Sequence, residues 1–311
     1  AILGEISSAR ETIRLETYIF AAGGPGDNVR SALTAAVRRR VKVKVLIDAF
    51  GSYELPSHYW SEYVEAGGDF RFFNPLNLHR ITIRDHRKML ICDTRVAFTG
   101  GFNITSEEAG DGIIKGWRDL GIRITGPLAE EMAVSFDQMF DMAEFKHSRL
   151  PRFRLNELFT HKRKEWPHAA LLTSQPRRIS SPIKKALSSD LKKAHRIRII
   201  SGYFLPSWRL KNILKRSARR GVDIQIITAG KSDVTLARYA GRATYDGLLH
   251  AGIKLHEYHA QILHTKLIIT DNVVYVGSAN VDTRSLNINY ELLVRINDAA
   301  LAGEAIRIFE S

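Results

Sequence analysis

Apolar and polar residues broadly alternate over Thr12–Phe20 and again over Arg196–Phe204, and both stretches read as strands. A helical stripe follows each: Val29, Leu33, Ala36 and Val37 in the first case, Leu210, Ile213, Leu214 and Ala218 in the second. Each predicted helix ends in arginines, Arg38-Arg39-Arg40 or Arg219-Arg220, which suit the negative end of its dipole. A second strand comes next. Val41, Val43, Val45 and Ile47 alternate with Lys42 and Lys44; Val222, Ile224 and Ile226 alternate with Asp223 and Gln225. Then come Ala66-Gly67 and Ala251-Gly252, and after each a histidine motif. Matched positions lie 172 (Asp119 to Glu291) to 185 (Ala66 to Ala251) residues apart. So long a period predicts two α/β lobes of similar plan rather than a solenoid. The lobes are expected at 1–146 and 191–311. A basic linker or insertion over 147–190, punctuated by Pro151, Pro167, Pro176 and Pro182, would lie between them.

Composition narrows the class. Of 311 residues, 44% are hydrophobic and 25% charged, which fits a folded protein and excludes a disordered or collagen-like chain. Cys92 stands alone, so an intramolecular disulfide framework and a cysteine zinc cluster are excluded. It reads as a buried small hydrophobe, and a single cysteine fits a reducing compartment. No apolar run approaches the roughly 20 residues that span a bilayer, and no signal peptide is visible. The chain opens at Ala1 without an initiator Met, which leaves room for a preceding anchor.

The formal net charge is +13, and it is concentrated. Lys146–Arg198 holds 15 Lys/Arg against three acids, Glu157, Glu165 and Asp190. That density points to a phosphate-rich surface, anionic lipid or nucleic acid, or else to a solvated linker. Charge alone does not choose among them.

The histidine motifs carry the candidate chemistry. The first reads Asp85-His86-Arg87-Lys88 through Asp93, then Gly100-Gly101-Phe102-Asn103. The second reads His264-Thr265-Lys266 through Asp271, then Gly277-Ser278-Ala279-Asn280. Both fit H-x-K-x₄-D followed by G-[GS]-x-N. On a strand, His86 and Lys88 share a face, as do His264 and Lys266, whereas Asp93 and Asp271 have the opposite parity. The two aspartates are therefore expected to brace backbone. These residue types suit phosphoryl transfer without a metal. One imidazole attacks phosphorus, a second protonates the leaving alkoxide, and lysines and asparagine amides hold the non-bridging oxygens. Each imidazole also needs a carboxylate to fix its tautomer. Asp119, in Trp117-Arg118-Asp119-Leu120, and Glu291, in Asn289-Tyr290-Glu291-Leu292, are matched candidates.

With these motifs the chain resembles the phospholipase D superfamily. Its flanks, among them Glu16-Thr17-Tyr18-Ile19-Phe20, Asp48-Ala49-Phe50-Gly51-Ser52, Trp117-Arg118-Asp119, Tyr203-Phe204-Leu205-Pro206 and Gly277 to Asp282, resemble the bacterial cardiolipin synthases. The resemblance runs over nearly the whole chain. It implies a pseudo-twofold pair of lobes, each a mixed β-sheet flanked by helices, with one active site at their interface. It implies His86 as nucleophile, His264 as general acid and base, and Lys88, Lys266, Asn103 and Asn280 on the phosphate. Asp119 and Glu291 would orient the imidazoles, and Ser278 and Gly101 would lie against substrate. The implied reaction is transphosphatidylation through a phosphatidyl-histidine, with phosphatidylglycerol as donor and acceptor and no cofactor. Phospholipid substrates, an anionic membrane surface and the cytoplasmic face of a bacterial membrane go with that reading.

Two departures stand out. Gly101 replaces the hydroxyl of Ser278, and the first motif has one more residue between Asp and Gly than the second. Other readings are a phospholipase D-type hydrolase, a metal-independent nuclease of the same superfamily, or a silent membrane-binding scaffold. His256-Glu257-Tyr258-His259 lacks a further ligand cluster and reads as strand rather than metal site. Tyr18, Phe20, Tyr203 and Phe204 read as lipid entrance or as core, and Tyr59-Trp60 as an aromatic pair of the membrane-interface kind.

Overall fold

The alternating segments of the first half, Thr12–Thr17 (β1) and Lys42–Asp48 (β2), pair in parallel, with Ile13 beside Val43 and Leu15 beside Val45. A parallel pair needs a crossover, and helix Gly24–Arg38 supplies it, burying Val29, Leu33, Ala36 and Val37 against the sheet. Asp69–Phe73 (β3) adds in parallel outside β2. On the other side of β1, Met89–Cys92 (β4), Val96–Gly100 (β5) and Gly121–Thr125 (β6) run antiparallel in turn. The sheet order is β3-β2-β1-β4-β5-β6. The computed structural model describes residues 1–74, 82–144, 168–176 and 181–311. The basic clusters Arg149 to Lys164 and Arg177-Arg178 lie outside the described residues.

The second half repeats the plan. Its strands are Ala169–Ser174 (β7), Arg196–Ser201 (β8), Phe204–Leu205 (β9), Asp223–Ala229 (β10), Lys254–Tyr258 (β11), Lys266–Thr270 (β12), Val273–Gly277 (β13), Val281–Asp282 (β14) and Glu291–Asn297 (β15). Seven of them form a mixed sheet in the order β11-β10-β8-β12-β13-β15-β7, which is the first sheet's order with one strand added. The added strand comes from the stretch read as linker. β7 runs antiparallel along β15 from Ala169 beside Ile296 to Ser174 beside Glu291. Helix Pro182–Lys193 follows, capped by Ser181 and burying Ile183, Leu187 and Leu191. The second lobe's own elements thus begin upstream of residue 191.

The lobes share core. Helix Pro127–Glu144 places Met132, Phe136, Met139 and Phe140 against Met89 and Ile91 of the first sheet, and also against Leu171, Leu292 and Val294 of the second. Helix Ala299–Glu310 buries Ala302, Ala305 and Phe309 on the second sheet, where Leu120 and Ile122 of the first lobe also pack. Phe136 is fully buried in this shared core. Phe136→Ala is expected to cost about 3–5 kcal/mol, since cavity and transfer terms add there. Urea unfolding measures that loss.

The motif aspartates sit in the hairpin turns. Asp93 takes a left-handed conformation and accepts from the backbone N–H groups of Arg10, Glu11 and Thr12 at 2.8–3.2 Å. Asp271 does the same for His195 and Arg196. The first turn uses Asp93-Thr94-Arg95 and the second only Asp271-Asn272, so the unequal motif spacing is absorbed there and the strands after it match.

Of three further expectations, the first is corrected and the other two hold. Tyr59 and Trp60 are buried in an aromatic cluster with Phe20, not placed at an interface. Cys92 is buried, and burial pushes its thiol up to about 12. On edge strand β11, Glu257 pairs with Arg242 at 2.8 Å. Among the described residues, no helix is long and apolar enough to cross a membrane.

Candidate active site

Neither histidine lies inside a strand: β4 starts at Met89 and β12 at Lys266. The chain just before each strand instead pairs with the other lobe. Asp85 bridges Tyr290 and Leu263 bridges Arg118, both in parallel. His86 N–H donates to the Tyr290 carbonyl at 3.0 Å, and His264 N–H to the Arg118 carbonyl at 2.8 Å. Tyr290 and Arg118 immediately precede Glu291 and Asp119. The backbone pairing therefore sets each imidazole beside the carboxylate of the opposite lobe. His86 Nδ1 lies 3.1 Å from Glu291 Oε2, and His264 Nδ1 lies 2.6 Å from Asp119 Oδ2. The rings are flanked by Tyr18 and Trp117, at centroid distances of 5.0 and 5.2 Å. From inside the first lobe, Asp48 at the end of β2 holds the Asp85 N–H at 2.9 Å and also accepts from Phe50 and Gly51 N–H.

The lysines repeat the symmetry. Both are buried, and each Nζ donates to the carbonyl of its own histidine, at 2.8 Å in the case of Lys88. Asn103 and Asn280 are buried as well. Asn103 Oδ1 accepts from Ile19 N–H at 3.2 Å, whereas Asn280 Oδ1 has no donor among the described residues.

Ser278 and Gly101, expected against substrate, each stand against one of the two carboxylates. Ser278 is fully buried, donates its hydroxyl to Glu291 and accepts from Leu292 N–H at 3.0 Å. Its hydroxyl thus holds the carboxylate that holds His86. At Gly101 a Cβ would stand 2.4 Å from an Asp119 carboxylate oxygen, so glycine there makes room for the partner of His264. The serine–glycine difference between motifs follows from how each carboxylate is seated.

The two imidazoles have unlike electrostatic surroundings. Burial drives the His86 pKa well below its ordinary value, and the positive charges of Lys88, Lys266 and His264 add to this. His86 is therefore neutral near pH 7, with a lone pair available. Glu291 is pushed up to about 7 by burial, against the pull of Lys88. Lys88 is brought down to about 7, and Lys266 is also lowered, both chiefly by burial. A bound anion would favour their charged forms.

Sequence reasoning missed Glu108. Its Oε1 lies 3.4 Å from His264 Nδ1 and accepts from Asn103 N–H at 3.3 Å. It has no counterpart in the second repeat, where Ser285 stands five residues after Asn280, so periodicity could not reveal it. Glu108, Asp119 and His264 bring their ligand atoms within 4.8 Å of one another. Tetrahedral ligands about 2.1 Å from a zinc ion stand roughly 3.4 Å apart. The 2.6 Å contact between His264 and Asp119 is instead that of a hydrogen bond. The trio reads as an imidazole with two acceptors.

Comparison with known proteins gives a consistent picture. The family described as "Cardiolipin synthase, PLD-like domain" matches residues 2–140 and 187–311. Cardiolipin synthase A of Pectobacterium carotovorum is 32% identical over 98% of this chain and 64% of its own length. Cardiolipin synthase B of Shigella flexneri is 31% identical over 96% of this chain and 73% of its own. The chain thus spans about two thirds of the relatives it matches. The fold is also that of a phosphatidylserine synthase from Haemophilus influenzae, with a TM-score of 0.76, 15% identity, and coverage of 99% of this chain and 83% of that one.

Proposed function

The chain belongs to the cardiolipin synthase family of phospholipase D-like proteins, and from that premise we propose that it is a phosphatidyltransferase that moves a phosphatidyl group between phospholipids. The observation that carries the reaction type is the crossed pair of imidazoles, each held by the opposite lobe's carboxylate with two buried lysines beside them. The lipid substrates rest on the relatives, which are cardiolipin synthases.

In this reading His86 is the nucleophile. It is neutral, and Glu291 holds its Nδ1, which leaves Nε2 to attack phosphorus. The phosphorus–oxygen bond to the headgroup breaks as His264 gives its proton to the departing alkoxide. Protonated His264 has two anionic oxygens at its Nδ1, from Asp119 and Glu108. That second carboxylate favours His264 over His86 as the acid. Lys88 and Lys266, with the amides of Asn103 and Asn280, take the charge on the non-bridging oxygens. The acceptor hydroxyl then returns a proton to His264 as its oxygen attacks, and the phosphorus–nitrogen bond breaks. With phosphatidylglycerol as donor and acceptor, glycerol leaves and cardiolipin forms. Asp93 and Asp271 shape the turns behind the site. The reading places the enzyme on the cytoplasmic face of a bacterial membrane, with lobes near 1–146 and 191–311 extended by β7 and its following helix.

Mass spectrometry of phosphatidylglycerol vesicles after incubation with the protein in EDTA tests this. Cardiolipin with free glycerol is the expected product. Phosphatidic acid alone would make the enzyme a hydrolase. Intact lipid beside shortened single-stranded DNA in a parallel sample would overturn the lipid reading.

A further inference from the structure

The loop between β5 and β6 runs from the catalytic cluster to the surface and back. It leaves at Glu108 and returns at Trp117, both against His264. Its tip carries Ile113 and Ile114, which are 58% and 82% exposed although they stand beside buried machinery. The tip is not slack. Asp111 accepts from the N–H groups of Ile113, Ile114 and Lys115 at 2.8–3.0 Å. Tyr258 Oη donates to the Gly112 carbonyl and Gln261 Nε2 to the Ile114 carbonyl, each at 2.7 Å. The first lobe's isoleucines are thus fastened onto the second lobe.

A second apolar projection stands on the other side of the same anchoring segment. Gly230 N–H donates to the Tyr258 carbonyl at 2.9 Å, and Lys231 Nζ to the Ala260 carbonyl at 3.0 Å. Just beyond, helix Thr235–Arg242 exposes Leu236 (80%) and Tyr239 (58%), one helical turn apart, with Val234 before them. This helix packs beside β9, which pairs with β14 directly after Asn280. The exposed apolar residues therefore flank one stretch, Tyr258–Gln261, that leads into His264. Lys115, Lys231, Arg238 and Arg242 are interspersed with them, Arg242 paired with Glu257, beside the acids Asp111 and Asp233.

We propose that Ile113, Ile114, Val234, Leu236 and Tyr239 form a rim that inserts into the headgroup region of an anionic phospholipid bilayer and seats the catalytic cleft on it. A protein partner would need a matching apolar face. A bilayer needs only apolar tips among basic groups, on segments that lead into the catalytic cluster, and that is the pattern present. The rim rests on the lipid reading of the site, since it brings the cleft to substrates already in the membrane.

The test pairs a binding readout with a soluble reaction. Wild type, Ile113→Ser/Ile114→Ser and Leu236→Ser/Tyr239→Ser are sedimented with phosphatidylglycerol–phosphatidylcholine vesicles. In parallel they hydrolyse a soluble p-nitrophenyl phosphodiester. Each double variant is expected to bind vesicles at least about tenfold more weakly. Hydrolysis of the soluble ester stays within about twofold, which also reports an intact fold. Rim variants that sediment like wild type overturn the proposal and shift binding to the basic stretch around 147–190. Wild type that stays in the supernatant overturns it too. Vesicle binding that depends on the rim, without any lipid turnover, upholds the rim and defeats the phosphatidyltransferase reading instead.

Discussion

His86→Asn is expected to lose at least about 10⁴-fold in turnover with every phosphodiester, because it removes the proposed nucleophile. His264→Asn is expected to separate substrates by leaving group. An alkyl headgroup departs as a strongly basic alkoxide and needs the proton, so lipid turnover falls by a similar order. A p-nitrophenolate needs none. With that ester the first step continues, and the phosphoryl group stays on His86 because nothing deprotonates the acceptor. The measurement is a burst of p-nitrophenolate equal to the enzyme present, followed by mass spectrometry of the peptide that contains His86. The neutral, lysine-flanked His86 and the doubly acid-flanked His264 predict this order of events. Label on His264 in the His86→Asn variant would exchange the two roles.

The period-2 pattern around Ile13, Leu15, Val43 and Val45, with the matching one around Ile197, Ile199, Ile224 and Ile226, located the central parallel strands. It could do so because one face of these strands is apolar against the crossover helix, while on the other Arg14 and Lys44 pair with Asp137. β7 escaped because Ala169–Ser174 is six residues long and lies amid basic residues; its identity comes from pairing with β15, a long-range contact with no local signal. Tyr59-Trp60 misled for the same reason, since their neighbour Phe20 is distant in sequence. In the site, the residue types were legible from the repeat and the partnerships were not. The chain shows two histidines 178 residues apart and two carboxylates 172 residues apart in matched positions, but it takes the bridges Asp85–Tyr290 and Arg118–Leu263 to show that the lobes exchange them. Glu108 and the turn of the Ser278 hydroxyl toward Glu291 both break the symmetry of the repeat. A reading built on that symmetry passes over them.

The exchange itself has a kinetic signature. Asp119→Asn removes the acceptor from a histidine of the other lobe, so it is expected to slow lipid transfer about 10²–10⁴-fold, as when a triad carboxylate is neutralised. Its effect on the p-nitrophenolate burst should be small, because that first step needs no proton from His264, whereas the step that frees His86 should slow. Glu291→Gln acts on the nucleophile and should slow both substrates alike. Pairwise combination then separates crossed from same-lobe pairing. In a His264→Asn background, Asp119→Asn should add little, since its target is already gone, whereas Glu291→Gln should subtract its full effect. Same-lobe pairing predicts the reverse: Glu291→Gln would be silent in that background, and Asp119→Asn would not. The 2.6 Å contact of Asp119 with His264 and the 3.1 Å contact of Glu291 with His86 commit the protein to the first pattern. Separate lobes would then lack a competent imidazole each, so the active site exists only when both halves of the repeat are packed together.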